Sequence, residues 1–223
     1  MDTQTFKFTK DGLDFTFLDI VGSKTVPYVW NEMENDFYGL NSIELTEKDT
    51  VIDIGANVGL FSIYVKKKFG CKVIAFEPVP QNFENLKKNI LLNGFSESDF
   101  ELHQSAITDI EGGEISIGTS ISNSGGSSIF ERGDFNSLCK TERIDKYIDE
   151  KCTYLKMDCE GGEYSVISYI LPLLNNFKYI GIEYHSYNPS QDAIGLNSQI
   201  SSNFKGSIFS NISDPQASWN LGR

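Results

Sequence analysis

Apolar and polar positions alternate at the start of the chain. Phe6 and Phe8 on one side of Lys10-Asp11-Gly12, and Phe15 and Phe17 on the other, keep the strand period of two. That alternation predicts a β-hairpin over the first 20 residues, turning at glycine. Residues 30–38, polar but holding Trp30, Phe37 and Tyr38, predict a short helix ahead of the core. From residue 51 the pattern becomes regular: short β-branched runs, each followed by a helix-like stretch, the signature of a parallel sheet with crossover helices. The runs 51–54, 72–76 and 101–107 predict strands. Residues 58–69 are apolar nearly all round, as in a helix packed on a sheet, and Gly70 stops them. A further helix starts at Pro80, lays Phe83, Leu86, Ile90 and Leu91 along one face, and closes at Asn93-Gly94 with a left-handed cap.

Residues 111–134 break this rhythm. Gly112-Gly113, Gly118 and the Ser/Asn/Gly-rich run 120–128 predict a loop or hairpin excursion, either a surface turn or a mobile edge of a substrate pocket. The alternation resumes with a helix or strand at 143–148, a strand at 154–157, a helix after Gly162 and a strand at 179–184. In the remaining tail, 207–209 reads as a strand. The expected fold is α/β, a mostly parallel central sheet flanked by helices with an N-terminal β-hairpin. A single domain is expected over 1–223: an extension (1–50), a regular core (51–185) and a C-terminal tail (186–223).

Composition narrows the function classes. A chain of 223 residues can bury one sizeable core, and its formal net charge of −12 would repel a phosphate backbone, so nucleic acid is not an expected substrate. The short runs Lys66-Lys67-Lys68 and Lys87-Lys88 read as solvated helix faces. Cys71, Cys139, Cys152 and Cys159 form no CxxC pair and no metal spacing with His103 or His185, against both a zinc site and a disulfide framework. No apolar run approaches the roughly 20 residues a bilayer requires, and Met1-Asp-Thr-Gln-Thr5 lacks the regions of a signal peptide. No membrane insertion and a cytoplasmic location are the expectation.

Candidate chemistry begins at Asp53-Ile-Gly55-Ala-Asn57-Val-Gly59, where a strand runs into a glycine turn ahead of a helix. Dinucleotide enzymes place glycine at the second position of a GxGxxG turn so that amides can face a pyrophosphate; this chain has Asn57 there. An acidic residue two positions before the turn suits a cofactor with no phosphate and a cationic amino-acid end, as S-adenosylmethionine presents, and Asp53 fits that cation. The next strand ends in Phe76-Glu77-Pro78, where Glu77 can accept hydrogen bonds from both ribose hydroxyls. A third cluster, Lys156-Met-Asp158-Cys-Glu160-Gly-Gly-Glu163, follows the fourth strand. Ligands bind beyond the carboxyl ends of such strands, so Asp158 and Glu160 belong near the reacting centre. Three acids so close should raise at least one pKa unless a cation or metal compensates. His185 ends the fifth strand as either a base or a buried structural imidazole, and His103 reads as structural.

With these residues in hand, the chain resembles the FkbM family of methyltransferases over residues 51–185. The likeness runs through VIDIGANVGLFS, AFEPVPQNFENLKKNILLNG, SAITD, NSGGSSI, RIDKYI, LKMDCEGGEYSVI and IEYH, in the family's order. The resemblance implies a Rossmann-like class I methyltransferase fold and O-methylation, often of sugars or polyketides. It implies cofactor contacts from Asp53, Gly55, Asn57, Gly59 and Glu77, with adenine near Ser105 and Ala106, and Asp158 and Glu160 bordering the transferred methyl. Tyr187-Asn-Pro-Ser190 reads as a turn.

The expected mechanism is in-line displacement, in which the protein positions an acceptor hydroxyl and removes its proton. His185, Asp158 or Glu160 would be the base, or Asp158 and Glu160 would bind a divalent ion that acidifies the hydroxyl; the residues leave that choice open. Aromatics such as Trp30, Tyr38, Tyr184 and Tyr187 could stack a sugar ring, which favours a glycan hydroxyl as acceptor. The rival readings are a nicotinamide-dependent oxidoreductase on the same fold and a non-catalytic cofactor-binding domain of a larger glycan-modifying protein. Oligomeric state is not legible.

Overall fold

The computed structural model describes residues 1–128, 130, 133–188 and 190–213. Ile129 of the NSGGSSI run and Pro189 of the expected 187–190 turn lie outside these residues, as does the tail beyond 213. Strands β1 (Thr3–Lys10) and β2 (Leu13–Ile20) form the expected antiparallel hairpin, with Asp11 and Gly12 at positive φ in its turn. The hairpin phenylalanines bury against Trp30 of helix α1 (Thr25–Glu34). This helix starts at Thr25 and stops at Glu34, upstream of the 30–38 expectation. Val26, Trp30 and Met33 provide its buried stripe, and Trp30 lies on the stripe rather than at the start.

The core then alternates as the pattern predicts: β3 (Thr50–Ile54), α2 (Leu60–Phe69), β4 (Lys72–Phe76), α3 (Pro80–Leu92) and β5 (Glu101–His103). An excursion follows, made of β6 (Ala106–Ile107), β7 (Glu114–Ser120), β8 (Asn123–Ser128) and β9 (Phe135–Glu142). The chain returns through β10 (Cys152–Met157), α4 (Glu163–Ile170), β11 (Tyr179–His185), α5 (Ala193–Asn203) and β12 (Ser207–Ser213). Six strands form one sheet in the order β12-β11-β10-β3-β4-β5, every pair parallel. Alternate residues along each strand feed two cores. Val51, Val73, Ala75 and Tyr154 face α2, α3 and the hairpin, whereas Ile52, Ile54, Ile74, Phe76, Leu155 and Met157 face α4 and α5. Each fully buried side chain of this kind contributes about 1.5–3 kcal/mol relative to exposure. The connections diverge on either side of β3 and β10, which opens a crevice at the carboxyl ends of these two strands.

Several elements differ from the pattern. The strand expected at 101–107 is two: β5 stays in the main sheet, and β6 leaves it to pair with β9. The 111–134 excursion is a true β-structure, in a second sheet of order β6-β9-β7-β8. Residues 143–148 hold a short 3-10 turn, Asp145–Tyr147, and the tail contributes a helix, α5, as well as a strand. The lysine run of α2 is not simply solvated: Lys68 pairs with Asp11 at 2.9 Å and Lys67 donates to the Asp14 carbonyl at 2.6 Å, so it braces the hairpin. Asn89 and Asn93 clasp the free edge of β2. Each side-chain amide accepts from and donates to one backbone residue, Asn89 with Leu18 and Asn93 with Thr16. Two asparagines thereby replace a third strand. Among the described residues no helix is long and apolar enough to cross a membrane.

Candidate active site

The glycine turn after β3 folds back on β4, with Gly55 and Ala56 both donating to the Phe76 carbonyl at 3.0 and 2.9 Å. Gly55 sits at φ +79°, and a Cβ there would lie 1.8 Å from the Asp158 carbonyl oxygen, so β3 and β10 approach too closely for any side chain. Asn57 is left-handed as well, at φ 51°, and its amide donates to the Glu77 carboxylate at 2.8 Å. The other Glu77 oxygen takes the Val79 amide at 2.9 Å. Glu77 is buried, and burial pushes its carboxyl up to about 7 despite these bonds. Gly59 does a different job from the one expected. It does not line the cavity; a Cβ there would meet Leu86 at 2.3 Å, so this glycine permits close packing of the turn on α3.

Asp53 lies below the cavity floor rather than in it. Its carboxylate takes the Ser62 hydroxyl at 2.6 Å and faces the Lys156 ammonium at 3.2 Å, across the paired strands β3 and β10. Lys156 also donates to the Gly55 carbonyl at 2.8 Å and lies 3.5 Å from Asp158. Burial works against its charge, but Asp53 and Asp158 outweigh that and hold the ammonium above its ordinary value. One buried lysine therefore ties the glycine turn to the acidic loop after β10.

At that loop Asp158, Glu160 and His185 converge as expected, joined by two acids the motifs did not mark, Glu183 of β11 and Glu32 of α1. His185 Nε2 lies 3.7 Å from Glu160 and 3.8 Å from Glu183. Its Nδ1 faces Glu163 at 3.3 Å, and Glu163 is itself fixed by the Cys159 and Gly161 amides, both at 2.9 Å. Desolvation, then repulsion from Asp158, raises Glu32 to about 7 and also raises Glu183. Glu160, at φ 52° and bonded to the Tyr187 hydroxyl, is likewise pushed to about 7 by burial. Burial opposes the His185 charge, yet Glu160 and Glu163 lift the imidazole to about 10.

Glu32, Asp158, Glu160, Glu183 and His185 line one cavity of about 690 Å³. Phe76, Ser105, Ala106, Ile107 and Ile115 wall the end near Glu77, and Ser122, Asn123, Gly125, Gly126 and Ser127 form one edge, so that run is pocket edge rather than surface turn. Of the aromatics expected to meet a sugar, Trp30 and Tyr184 are buried in the two cores, Tyr38 is buried in the cavity wall, and Tyr187 stands in the cavity stacked on Phe130 at 5.4 Å. His103 is structural, stacked on Phe76 at 4.8 Å, and the four cysteines are free.

The model of the Methyltransferase FkbM domain matches residues 53–210. Methyltransferase sdnD of Sordaria araneosa is 36% identical over 67 residues, 30% of this chain and 26% of that protein. Methyltransferase 1 of Beauveria bassiana (strain ARSEF 2860) is 36% identical over 47 residues, 21% of this chain and 19% of that protein, so the matches cover about a quarter or less of either relative. The crystal structure of Methyltransferase FkbM from Methylobacillus flagellatus KT superposes with a TM-score of 0.51 at 20% identity, over 74% of this chain and 40% of that one. At that identity the superposition speaks for the α/β fold alone. A family match over more than half of the residues, spanning the glycine turn, Glu77 and the acidic loop, places the chain in the FkbM methyltransferase family.

Proposed function

We propose that the protein transfers the methyl group of S-adenosylmethionine to a hydroxyl oxygen, and that this hydroxyl belongs to a sugar of a glycan. One observation carries the reading: a single cavity has two chemically different ends, the buried Glu77 carboxylate locked to the glycine turn, and a ring of acids around His185. The first end suits a nucleoside. Glu77 offers remaining lone pairs to ribose hydroxyls, and the apolar slot beside Ser105 and Ala106 has the character a purine ring needs. It does not suit a pyrophosphate, because the Asn57 amide already serves a carboxylate that would repel phosphate, which argues against the nicotinamide alternative.

When bound, the cofactor supplies a methyl group already activated on a cationic sulfur. The residues of this chain supply position and a proton acceptor. Glu160, near 7, would be the base, taking the hydroxyl proton as the oxygen bonds to the methyl carbon and the carbon–sulfur bond breaks, its electron pair staying on sulfur. His185, whose Nε2 lies 3.7 Å from Glu160, positions that carboxylate. Asp53 acts through Lys156, which it holds in place. At the cavity, Tyr187 with Phe130 and the exposed ring of Tyr28 offer the flat faces a pyranose stacks on.

Thermal-shift measurements should show S-adenosylhomocysteine stabilising the protein and NAD leaving it unchanged; the reverse would assign the cavity to a nicotinamide enzyme. With labelled S-adenosylmethionine and a panel of glycans, mass spectrometry should detect a methylated sugar, and transfer only to protein or nucleic acid would sink the glycan acceptor. Glu160→Gln should lower kcat by about 10²–10⁴-fold with cofactor binding retained.

A further inference from the structure

We propose that Asp158, Glu183 and His185 bind one divalent cation, with the Glu32 carboxylate closing the site, and that this ion holds the acceptor hydroxyl beside Glu160. The role of the ion rests on the methyl-transfer reading above; the site itself rests on geometry. One ligand atom from each of the three residues lies within 4.8 Å of the others. Ligands about 2.0–2.3 Å from a common ion stand roughly 3–4.5 Å apart, so these side chains need only small rotations to share one.

His185 is oriented as a ligand would be. Both Glu163 oxygens accept from backbone amides, those of Cys159 and Gly161, which fixes the carboxylate and sets it to accept the Nδ1 proton of His185. Nε2 is thereby turned toward Glu183 and Glu160, at 3.8 and 3.7 Å, too far for a hydrogen bond to either. A carboxylate behind the imidazole is the usual arrangement at metal-bound histidine. Asp158 is placed from one side only: Lys156 and the Tyr38 hydroxyl both approach Oδ2, at 3.5 and 3.3 Å.

Glu32 supplies an independent observation. Its side chain lines the same cavity, the residue is 2% exposed, and Oε1 has no hydrogen-bond partner. A buried carboxylate oxygen left unsatisfied is costly, and an ion beside it removes the cost. Carboxylates from α1, from the loop after β10 and from β11 thus meet around one imidazole, and Lys156, which approaches Asp158, is shared with Asp53. Carboxylate oxygens with one imidazole and no thiolate suit Mn²⁺ or Mg²⁺. The set differs from the Asp158 and Glu160 pair that the motifs suggested. Glu160 is held by Tyr187 and stays free to accept the proton.

Full-length protein stripped with EDTA should bind Mn²⁺ at one ion per chain, with a dissociation constant below about 10⁻⁴ M, read by electron paramagnetic resonance of free Mn²⁺ and by calorimetry. Asp158→Asn and Glu183→Gln should each weaken binding tenfold or more, and Glu32→Gln should weaken it less. Circular dichroism checks the fold of each variant, and Glu32→Gln, on a helix outside the central sheet, serves if the strand variants unfold. Absence of saturable Mn²⁺ binding, or wild-type affinity in folded Glu183→Gln or in Glu32→Gln, overturns the site. Titrating S-adenosylhomocysteine into the stripped protein separates the two claims. Nucleoside binding without Mn²⁺ binding leaves the cofactor reading and removes the ion; Mn²⁺ binding without nucleoside binding does the opposite.

Discussion

Glu77→Gln keeps the shape of the side chain and removes its charge, so it isolates what the carboxylate does at the proposed nucleoside end. Charge-assisted hydrogen bonds are worth about 1.5–3 kcal/mol each, and the variant should bind S-adenosylhomocysteine roughly 10–100-fold more weakly by calorimetry. Acidity adds a second signature. Folding lifts this carboxyl from 4.5 to about 7, so the folded protein holds the proton longer than the unfolded chain. The folded state then loses stability relative to the unfolded as pH rises between those values. The melting temperature of the wild type should therefore fall relative to Glu77→Gln between pH 5 and about 7.5, and parallel curves would show that Glu77 is not buried as described. Most of the chemistry at this scale was legible: Gly55, Asn57, Glu77, Asp158, Glu160 and His185 all reach the cavity. Lys156, Glu183 and Glu32 lie inside β10, β11 and α1, away from the turns that carry the motifs. Lys156 and Glu183 carry a different signal, a charge inside an otherwise apolar strand, as in Tyr154-Leu-Lys156-Met157 and Ile182-Glu183-Tyr184, where burial demands a partner; Glu32, in the polar stretch of α1, carries none.

At the scale of elements, the asparagine clasp makes the hairpin dependent on α3. Removing both side chains with Asn89→Ala and Asn93→Ala strips partners from the backbone of Leu18 and Thr16, and from the Val58 carbonyl that Asn89 also serves. Losses of about 1–3 kcal/mol per orphaned buried group predict a lower melting temperature and selective proteolysis within residues 1–20; cleavage elsewhere first would refute the clasp. The strands of the main sheet were readable because parallel strands buried on both faces are nearly continuous apolar runs. The elements that escaped lack that mark. β9, Phe-Asn-Ser-Leu-Cys-Lys-Thr-Glu, buries only Cys139 and Thr141 and takes its place from pairing with β7. α5 is rich in Ser, Asn and Gly, poor helix formers, and is held by Asp192 capping the Gly195 amide and by Ala193, Leu196 and Ile200 packing on the sheet. Tertiary contacts decide such segments.

For the molecule as a whole, the cavity is assembled from regions far apart in the chain, and Ser124 is where they meet. Its carbonyl accepts from Asn57 and Asn82 at 3.0 Å each, and its hydroxyl lies 3.2 Å from Asp19, Ser23 and Thr25. Gly125 adds a bond to Thr25 at 2.9 Å. Hydrogen exchange followed by mass spectrometry should accordingly show S-adenosylhomocysteine slowing exchange in β8 and at the start of α1 as well as at residues 55–59; protection confined to the glycine turn would contradict this. The Ser124 junction has a further consequence. Because the Asn57 side chain in the glycine turn also grips the strand forming the opposite edge of the cavity, the two ends are mechanically joined. Linkage is reciprocal, so a ligand that touches only the β8 edge should change affinity at the glycine turn by the same factor by which a ligand at that turn changes affinity at the edge.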